Sequence, residues 1–387
     1  MVAARRQESG ARVRAALESA SISSVDVVHM ASALALAERG RGRTTPNPMV
    51  GALVVDAEGV VVGRGAHEFA GGPHAEVHAL AEAGARARGA TLYCTLEPCS
   101  HTGRTGPCAP RVVEAGISRA VVAVQDPDPR VAGRGLALLR KHGVTVSVGA
   151  LRAEASRLNS PFFSVMRRQR PFVTMKVALS RDGFVSASTG TRTLLTGAAA
   201  NRLIHRERAE VDALGVGSGT MLADDPLLTP RGAYRTRPLA RIIFDRSLRV
   251  PASARIFGTL TVGPVIILAR KPVDPAAHPN YEALVSAGAK IELVDSAGGE
   301  FISRAVSSLV RLEINSLLVE GGPTLHAALW AADVVDRVQI YQAPALLGPA
   351  GVPWFMTQSV SVDRLSEVKT TVLGEDVLIE GYVHRSH

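Results

Sequence analysis

Three short motifs in the first third of the chain constrain its fold and chemistry most strongly. One is His-Ala-Glu, which places Glu76 two residues after His74, and the others are Pro-Cys pairs that place thiols at Cys99 and Cys108. One imidazole and two thiolates can hold Zn²⁺ and leave the fourth tetrahedral position open to water, as in catalytic zinc sites. Coordination lowers the pKa of that water to roughly 7, which makes hydroxide available at neutral pH. The motifs therefore predict a hydrolytic zinc site.

This combination is more specific than any of its parts. A lone His-x-Glu is common by chance, and a buried Cys is usually a small hydrophobe. Here the chain has only three cysteines, two of which follow a proline, and the His-x-Glu lies upstream of both. The set matches zinc deaminases, in which the Glu is the general acid/base and not a ligand. We interpret the third thiol, Cys94 in an apolar strand-like run, as a packed core residue.

Composition limits the class of protein. A chain of 387 residues with 46% hydrophobic residues suggests two folded domains. No apolar run approaches the roughly 18 residues of a membrane span, and three cysteines, two of them assigned to metal, leave no disulfide framework. We therefore expect a soluble cytoplasmic protein with no membrane partner. Residues 1–24 carry arginines without an apolar signal core, so we expect a flexible extension there.

The net charge of +9 indicates an anionic partner. It could reflect a nucleic-acid surface or arginines gathered around a phosphorylated small molecule. Aromatic residues make up only 4% of the chain and no dense Lys/Arg run is interleaved with them, so stacking platforms for single strands are scarce. We therefore favour small phosphorylated ligands over nucleic acid.

Hydrophobic periodicity predicts α/β structure in both halves of the chain. An arginine-rich linker, 151–170, separates the zinc domain, 25–150, from a second domain, 171–387. In the zinc domain the predicted helices are 25–39, 74–83 and 108–115, and the predicted strands are 49–55, 60–66, 91–96, 120–124 and 145–148. In the second domain the predicted strands are 172–178, 213–216, 240–244, 265–269 and 316–319, and the predicted helices are 198–209 and 301–310.

Two glycine-bearing turns stand out in the second domain, at 215–220 and 320–325. Each follows an apolar strand and precedes a helix-like segment, the setting in which backbone amides cradle phosphate, although many such turns are only tight corners. Asp224 and Asp225, which precede a proline, could bind a metal, but we prefer a turn or helix cap. Lys176 lies on an apolar strand and must reach a partner, for example an acidic or carbonyl group of a ligand.

On these motifs the chain resembles the bacterial bifunctional riboflavin-biosynthesis deaminase/reductase family over nearly all of its length after the N-terminal extension. The resemblance in the first half rests on Thr-Pro-Asn-Pro at 45–48, His-Ala-Glu-Val-His at 74–78, Thr-Leu-Glu-Pro-Cys-Ser-His at 95–101, Gly-Arg-Thr at 103–105 and Gln-Asp-Pro at 125–127. In the second half it rests on Lys176, Ser-Arg-Asp-Gly at 180–183, Leu-Ala-Asp-Asp-Pro at 222–226, Val-Glu-Gly-Gly-Pro-Thr-Leu at 319–325 and Leu-Leu-Gly at 346–348.

The resemblance implies an N-terminal cytidine-deaminase-like three-layer α/β domain followed by a dihydrofolate-reductase-like α/β domain. The first domain would hydrolyse an exocyclic amino group of a diaminopyrimidinone that bears a ribosylamine phosphate, using one Zn²⁺ per chain. The second would use NADPH to reduce the ribosyl group to ribityl. The partner is then a phosphorylated pyrimidine and not a nucleic acid, and we expect a homo-oligomer.

Residue by residue, the resemblance also assigns roles. It makes His74, Cys99 and Cys108 the zinc ligands and Glu76 the proton shuttle. Substrate contacts would be Asn47, His101 and Arg104 in the first domain and, in the second, Lys176 facing the ribose together with Arg208, Leu228, Arg231 and Glu320. NADPH contacts would be Ala178, Leu194, Thr220, Asp224, Arg246 and the turn residues Gly322, Pro323, Thr324 and Leu325.

The chain departs from the family pattern only in its second half. Where the family usually has Ser-x-Trp-Ile-Thr, this chain has Arg192 and Leu194, so an aromatic wall at the cofactor becomes aliphatic. This leaves open a deaminase whose reductase domain is degenerate or repurposed. An RNA base deaminase is a further alternative, but that class has Cys-x-x-Cys, whereas eight residues separate the two thiols here. A structural zinc would need a fourth ligand, for which His78 and His101 are the candidates.

Overall fold

The computed structural model describes residues 21–100, 106–129, 131–271, 278–296, 299–355 and 364–383. The chain divides between Arg167 and Arg168 into two compact units, called unit 1 and unit 2, and each has its own sheet and core. No helix in these ranges has both the length and the apolar character needed to span a membrane. Most of the predicted N-terminal extension, residues 1–20, lies outside the described part of the chain.

The sheet of unit 1 consists of β1 (Gly51–Val55), β2 (Val61–Ala66), β3 (Thr91–Cys94), β4 (Arg119–Val122) and β5 (Thr145–Val148) in its described part. Their order is β2-β1-β3-β4-β5, with β1 antiparallel to β2 and β3, and with β3, β4 and β5 parallel. All five residues of β1 are buried, so this strand is covered on both faces. Helices found up to the unit boundary are Ser24–Ala37, Ala75–Ala83, Cys108–Glu114, Arg134–Lys141, Arg152–Leu158 and Ser160–Arg168.

The first helix is fixed at its start by a buried carboxylate. Asp26 accepts a hydrogen bond from the backbone N–H of Ser23 at 2.7 Å, and Ser23 Oγ accepts one from the N–H of Asp26 at 3.2 Å, which forms a capping box. The same carboxylate accepts from the guanidinium of Arg119 at 2.7 and 2.9 Å and from the hydroxyl of Tyr93 at 2.9 Å. Burial opposes ionisation, but these bonds outweigh it and hold the pKa of Asp26 well below its ordinary value. Asp26 therefore ties the first helix to β3 and β4.

The segment 151–170, predicted as a linker, is helical over most of its length. It forms the helices Arg152–Leu158 and Ser160–Arg168, and Phe163 packs into the core of unit 1. In the second of these helices Phe163 and Val165 are buried, whereas Arg167 and Arg168 are exposed, so the helix is amphipathic. The boundary between the units falls near the end of the second of these helices.

Unit 2 contains the strands β6 (Phe172–Leu179), β7 (Phe184–Ser186), β8 (Ala213–Gly217), β9 (Ala240–Phe244), β10 (Val265–Arg270), β11 (Ala289–Val294), β12 (Ser316–Val319), β13 (Arg337–Gln342), β14 (Val352–Pro353), β15 (Ser366–Leu373) and β16 (Asp376–Tyr382). Nine of these described strands form one sheet in the order β11-β10-β9-β8-β12-β6-β13-β16-β15, and β7 pairs with β14. Neighbours from β11 to β13 are parallel, and β16 is antiparallel to β13 and β15. The helices found in its described part are Ala198–Glu210, Ser218–Asp224, Tyr281–Ser286, Phe301–Ser308 and Pro323–Ala331.

The strand order of unit 2 brings its two glycine turns together. One turn follows β8 and the other follows β12, and these strands are parallel neighbours. Parallel strands present their carboxyl ends at the same edge of a sheet, which is where open α/β sheets bind ligands. The predicted α/β character of both halves is confirmed, although the sequence pattern does not predict β11, β13, β15 or β16.

Candidate active sites

The three predicted zinc ligands come together in unit 1. His74 precedes the helix Ala75–Ala83, Cys108 begins the helix Cys108–Glu114, and Cys99 lies in the segment after β3. His74 Nδ1 lies 3.2 Å from Cys108 Sγ and 3.5 Å from Cys99 Sγ, and the three ligand atoms all lie within 4.8 Å of one another. Zn–N and Zn–S bonds of about 2.0 and 2.3 Å place tetrahedral ligands roughly 3.5 Å apart, so this donor set fits a zinc ion.

The two thiols share a hydrogen bond that favours the thiolate form of one of them. The Cys108 thiol donates to the sulfur of Cys99, and this bond lowers the pKa of Cys99. The same bond, together with burial, raises the pKa of Cys108. The backbone N–H of Cys108 also donates to Cys99 Sγ, at 3.3 Å. Because the thiolate is the metal-binding species, Cys99 is prepared to accept a cation.

Glu76 lies in the first turn of the helix that follows His74, and only 3% of it is exposed. Burial raises the pKa of its carboxyl, and the positive charge of His74 partly opposes that rise. A raised pKa makes this carboxyl a better proton acceptor than an ordinary glutamate, as a proton shuttle requires. The helix lies very close to β2, because a Cβ on Gly65 would be only 1.9 Å from the carbonyl oxygen of Ala75. Glycine at position 65 therefore allows the helix to pack this close to β2, and the helix position determines where Glu76 lies.

One predicted substrate contact, Asn47, is linked to the zinc ligands through a histidine that the sequence reasoning missed. His67 Nε2 lies 3.1 Å from Asn47 Nδ2, and its Nδ1 lies 3.0 Å from the carbonyl oxygen of Pro73. The rings of His67 and His74 meet edge to face with their centroids 5.5 Å apart. A lone histidine at the end of a strand gives no signal of its own, and only its place shortly before His74 could have pointed to it. The other predicted contacts of this unit lie outside the described residues: His101 and Arg104.

Unit 2 contains a cavity of about 1520 Å³ beside its two glycine turns. Pockets for a single small ligand usually measure about 300–1,000 Å³, so this one has room for a cofactor and a substrate together. The predicted contacts of the second domain all line it: Lys176, Ala178, Leu194, Arg208, Thr220, Asp224, Leu228, Arg231, Arg246, Glu320, Gly322, Pro323, Thr324 and Leu325.

A carboxylate between two cations forms part of the cavity wall. Arg208 donates two hydrogen bonds to Glu320, at 2.7 and 2.8 Å, and Lys176 Nζ lies 3.5 Å from Glu320 Oε2. Burial alone would raise the pKa of Glu320, but the charges of Arg208 and Lys176 outweigh it and lower that pKa to about 2. The partner that Lys176 needs is thus supplied by the protein itself. Two cations against one anion leave net positive charge, which suits an anionic ligand.

The loop after the helix Ser218–Asp224 carries two more predicted contacts. Arg231 donates its backbone N–H to His205 Nδ1 at 3.1 Å. Leu228 is buried with a left-handed backbone, φ 51°, a conformation that costs a non-glycine residue about 1–2 kcal/mol. Asp225 ends the helix with φ 38°, and its carboxylate accepts from the backbone N–H of Arg255 at 3.0 Å, so it acts as a turn residue.

Arg192 and Leu194, which stand where the family pattern has Ser and Trp, line the same cavity. Leu194 is 80% exposed, so its side chain is available to a bound ligand. Burial raises the pKa of Asp224, and the positive charge of Arg192 opposes that rise. Arg192 therefore lies close enough to Asp224, a predicted NADPH contact, to lower the pKa of that carboxyl.

Comparison with known proteins identifies relatives of both units. Residues 23–124 match the cytidine and deoxycytidylate deaminase zinc-binding region, and residues 171–379 match the RibD C-terminal domain. Riboflavin biosynthesis protein RibD of Aquifex aeolicus is 38% identical over 360 residues, which cover 92% of this chain and 98% of that protein. The Escherichia coli protein of the same name is 40% identical over 326 residues, covering 84% and 89%.

Solved structures show the same similarity over both units. RibD of Acinetobacter baumannii, form 1, has a TM-score of 0.81 at 33% identity and covers 92% of this chain and 98% of its own. A diaminohydroxyphosphoribosylaminopyrimidine deaminase and 5-amino-6-(5-phosphoribosylamino)uracil reductase from Thermotoga maritima has a TM-score of 0.78 at 30% identity with the same coverage. Each of these single chains therefore matches the zinc-ligand unit and the cavity unit together.

Proposed function

Because the chain belongs to the family of bacterial bifunctional deaminase/reductases of riboflavin biosynthesis, we propose that each unit carries out one of the two reactions at the residues described above. The chain is accordingly a zinc-dependent hydrolase and an NADPH-dependent oxidoreductase. Its fold is a cytidine-deaminase-like domain followed by a dihydrofolate-reductase-like domain, as the sequence predicts. An RNA base deaminase and a deaminase with an idle reductase are both disfavoured by this assignment.

In unit 1 the proposed reaction is hydrolytic removal of an exocyclic amine from a pyrimidine ring. The observation that supports it is the cluster of His74, Cys99 and Cys108 with the buried Glu76 two residues from the first ligand. Zinc held by these three residues supplies an acidified water as nucleophile. Glu76 takes up a proton and delivers it to the departing nitrogen, so that ammonia leaves. Asn47, which contacts His67 next to His74, binds the ring.

In unit 2 the proposed reaction is reduction of the ribosyl group to a ribityl chain. NADPH, when bound, supplies the hydride. The turn before the helix Pro323–Ala331 is suited to its phosphates, since backbone N–H groups there have no partners within the helix. Reduction at the anomeric carbon would break the bond from that carbon to the ring oxygen, and the oxygen would take a proton from solvent to become a hydroxyl. Lys176, with donors beyond the one directed at Glu320, stabilises the charge on that oxygen.

We further propose that the substrate is phosphorylated, that the protein is cytoplasmic and that it forms a homo-oligomer. The excess positive charge around Glu320 supports the phosphate, and a zinc site made of reduced thiols supports a reducing compartment.

The outermost described strand of the unit 2 sheet, β15, exposes Val368 and Val372, and a second copy of the chain could cover such an edge. Light scattering tests the oligomer.

The two reactions can be tested on one preparation of the full chain. We would incubate it with the diaminopyrimidinone ribosylamine phosphate, with and without NADPH, and measure ammonia and the ribityl product separately. We expect ammonia in both samples and the ribityl product only with NADPH. The dephosphorylated substrate is the matched control and should react poorly in both steps. Absence of ammonia contradicts the deaminase, and ammonia without ribityl product contradicts the reductase.

A further inference from the structure

A buried carboxylate in unit 1 has no role in the reaction described above. Glu97 follows β3 and lies two residues before Cys99, and only 3% of it is exposed. None of its hydrogen bonds to the described residues comes from a cationic side chain. A buried charge without such a partner is costly unless other donors saturate it. The groups that donate hydrogen bonds to Glu97 therefore show which segments of the chain this carboxylate joins.

Four backbone N–H groups donate to this carboxylate. Oε2 accepts from Asp126 at 3.2 Å and from Gly133 at 2.9 Å, and Oε1 accepts from Gly135 at 2.9 Å and Leu136 at 3.2 Å. A carboxylate offers about four lone-pair positions, so Glu97 is saturated. Two of the donors lie in the first turn of the helix Arg134–Lys141, where N–H groups have no partner within the helix. The positive end of that helix dipole also faces the charge.

The same helix presses directly against the peptide that carries the zinc ligand. A Cβ on Gly135 would lie only 2.0 Å from the carbonyl oxygen of Pro98, so a larger residue cannot occupy this position without moving the chain. On the other side, the carbonyl oxygen of Cys99 accepts from the backbone N–H groups of Cys108 and Ala109, both at 3.0 Å. The Pro98–Cys99 segment is therefore fixed by contacts on both sides.

We propose that Glu97 is a positioning residue for the zinc site, which holds Cys99 in ligand geometry by joining the Pro98–Cys99 segment to the helix Arg134–Lys141. The inference rests on the zinc site of the proposed function. Partners that orient a ligand without touching the metal typically change metal affinity by about 10- to 100-fold. Glu97→Gln keeps the size of the side chain but turns an NH₂ group toward two of the four N–H donors. It should therefore displace Cys99 and loosen the metal.

The test measures zinc release from the folded full-length protein into a chromogenic chelator. Asp26→Asn is the matched control, because it weakens another buried, multiply hydrogen-bonded carboxylate of the same unit. Thermal unfolding of each variant gives its loss of stability. We expect Glu97→Gln to release zinc about 10- to 100-fold faster than wild type, and Asp26→Asn to release it at nearly the wild-type rate. NADPH-dependent reduction of supplied deaminated intermediate should be unchanged in both.

Equal zinc release from Glu97→Gln and Asp26→Asn would overturn the proposal, since the effect would then follow stability alone. If Glu97→Gln does not fold, Gly135→Ala tests the same junction from the other side with the carboxylate intact. Fast zinc release from that variant supports the proposal, and wild-type release contradicts it. A wild-type protein that binds no zinc would instead contradict the proposed function, so the two failures are distinguishable.

Discussion

The two sites of this chain are held in place by different forces. In unit 1 two of the predicted ligands, His74 and Cys108, lie at helix starts, and Cys99 lies in the segment after β3. The close backbone contact at Gly65 and the hydrogen bonds that Glu97 accepts from backbone N–H groups hold the surrounding elements together. In unit 2 the contacts are side chains around a large cavity, and the charge pairs of Glu320 arrange them. A metal site needs ligand atoms at defined distances, whereas the cavity must admit two organic molecules. The deamination site should therefore be sensitive to packing and the reduction site to charge.

The largest expected effect is a loss of deamination without a loss of reduction. Glu76→Gln removes the proton shuttle without removing a ligand, so ammonia release should fall by about 10²- to 10⁴-fold while one zinc per chain is retained. Metal analysis and ammonia assays on the same sample measure both. Reduction of supplied intermediate should continue at the wild-type rate. Loss of zinc in this variant would mean that Glu76 is a ligand, and retained ammonia release would point to another carboxylate.

The corresponding variant in unit 2 should slow reduction and leave deamination unchanged. Lys176→Ala removes one of the two cations at Glu320, and we expect reduction of the deaminated intermediate to fall by about 10²-fold, the scale of losing one preorganised charge. Ammonia release should be nearly unchanged. Lys290→Ala on the exposed face of β11 is the matched control and should leave NADPH oxidation unaffected. If wild-type protein oxidises NADPH no faster than Lys176→Ala, unit 2 does not reduce this substrate.

The dependence of unit 1 on packing can be tested without touching a polar group. Gly65→Ala places a methyl group against the Ala75 carbonyl and should destabilise unit 1 by about 1–3 kcal/mol, the usual cost of overpacking. It should also slow ammonia release, because it displaces the helix that carries Glu76. Gly258→Ala, where an added Cβ meets open space, is the control. A Gly65→Ala protein with unchanged melting temperature and ammonia release would show that the helix position is not critical.

The smallest expected effect concerns the aliphatic wall of the cavity. Leu194→Trp restores the aromatic residue of the family pattern at an exposed position, and it should lower the KM for NADPH by about two- to tenfold, in line with roughly 0.5–1.5 kcal/mol for an aromatic contact. The turnover number should change little. Leu222→Trp, also on an exposed leucine of this unit, is the control. An unchanged KM would indicate that position 194 does not contact the cofactor.

The sequence predicted the cluster of His74, Cys99 and Cys108 because the motifs that contain them are specific, and it predicted the neighbouring strands because those strands are short and apolar. It did not predict β15 or β16, since an outer strand such as β15 is exposed over most of its length and reads as polar. It also missed His67 and Glu97. Their roles arise from contacts with Asn47 and with residues beyond 125, which no local pattern encodes.

The carboxylate of Glu97 has a consequence for the order in which the chain can assemble. Its four backbone partners lie between 29 and 39 residues further along the chain, well beyond the last zinc ligand. As the chain is synthesised, His74, Cys99 and Cys108 are all made before the segment that fixes one of them exists. A fragment ending soon after Cys108 would thus contain every ligand and still be a poor metal binder. Tight zinc binding should therefore require the completed domain. A truncated protein made to contain the zinc site alone must extend past Leu136.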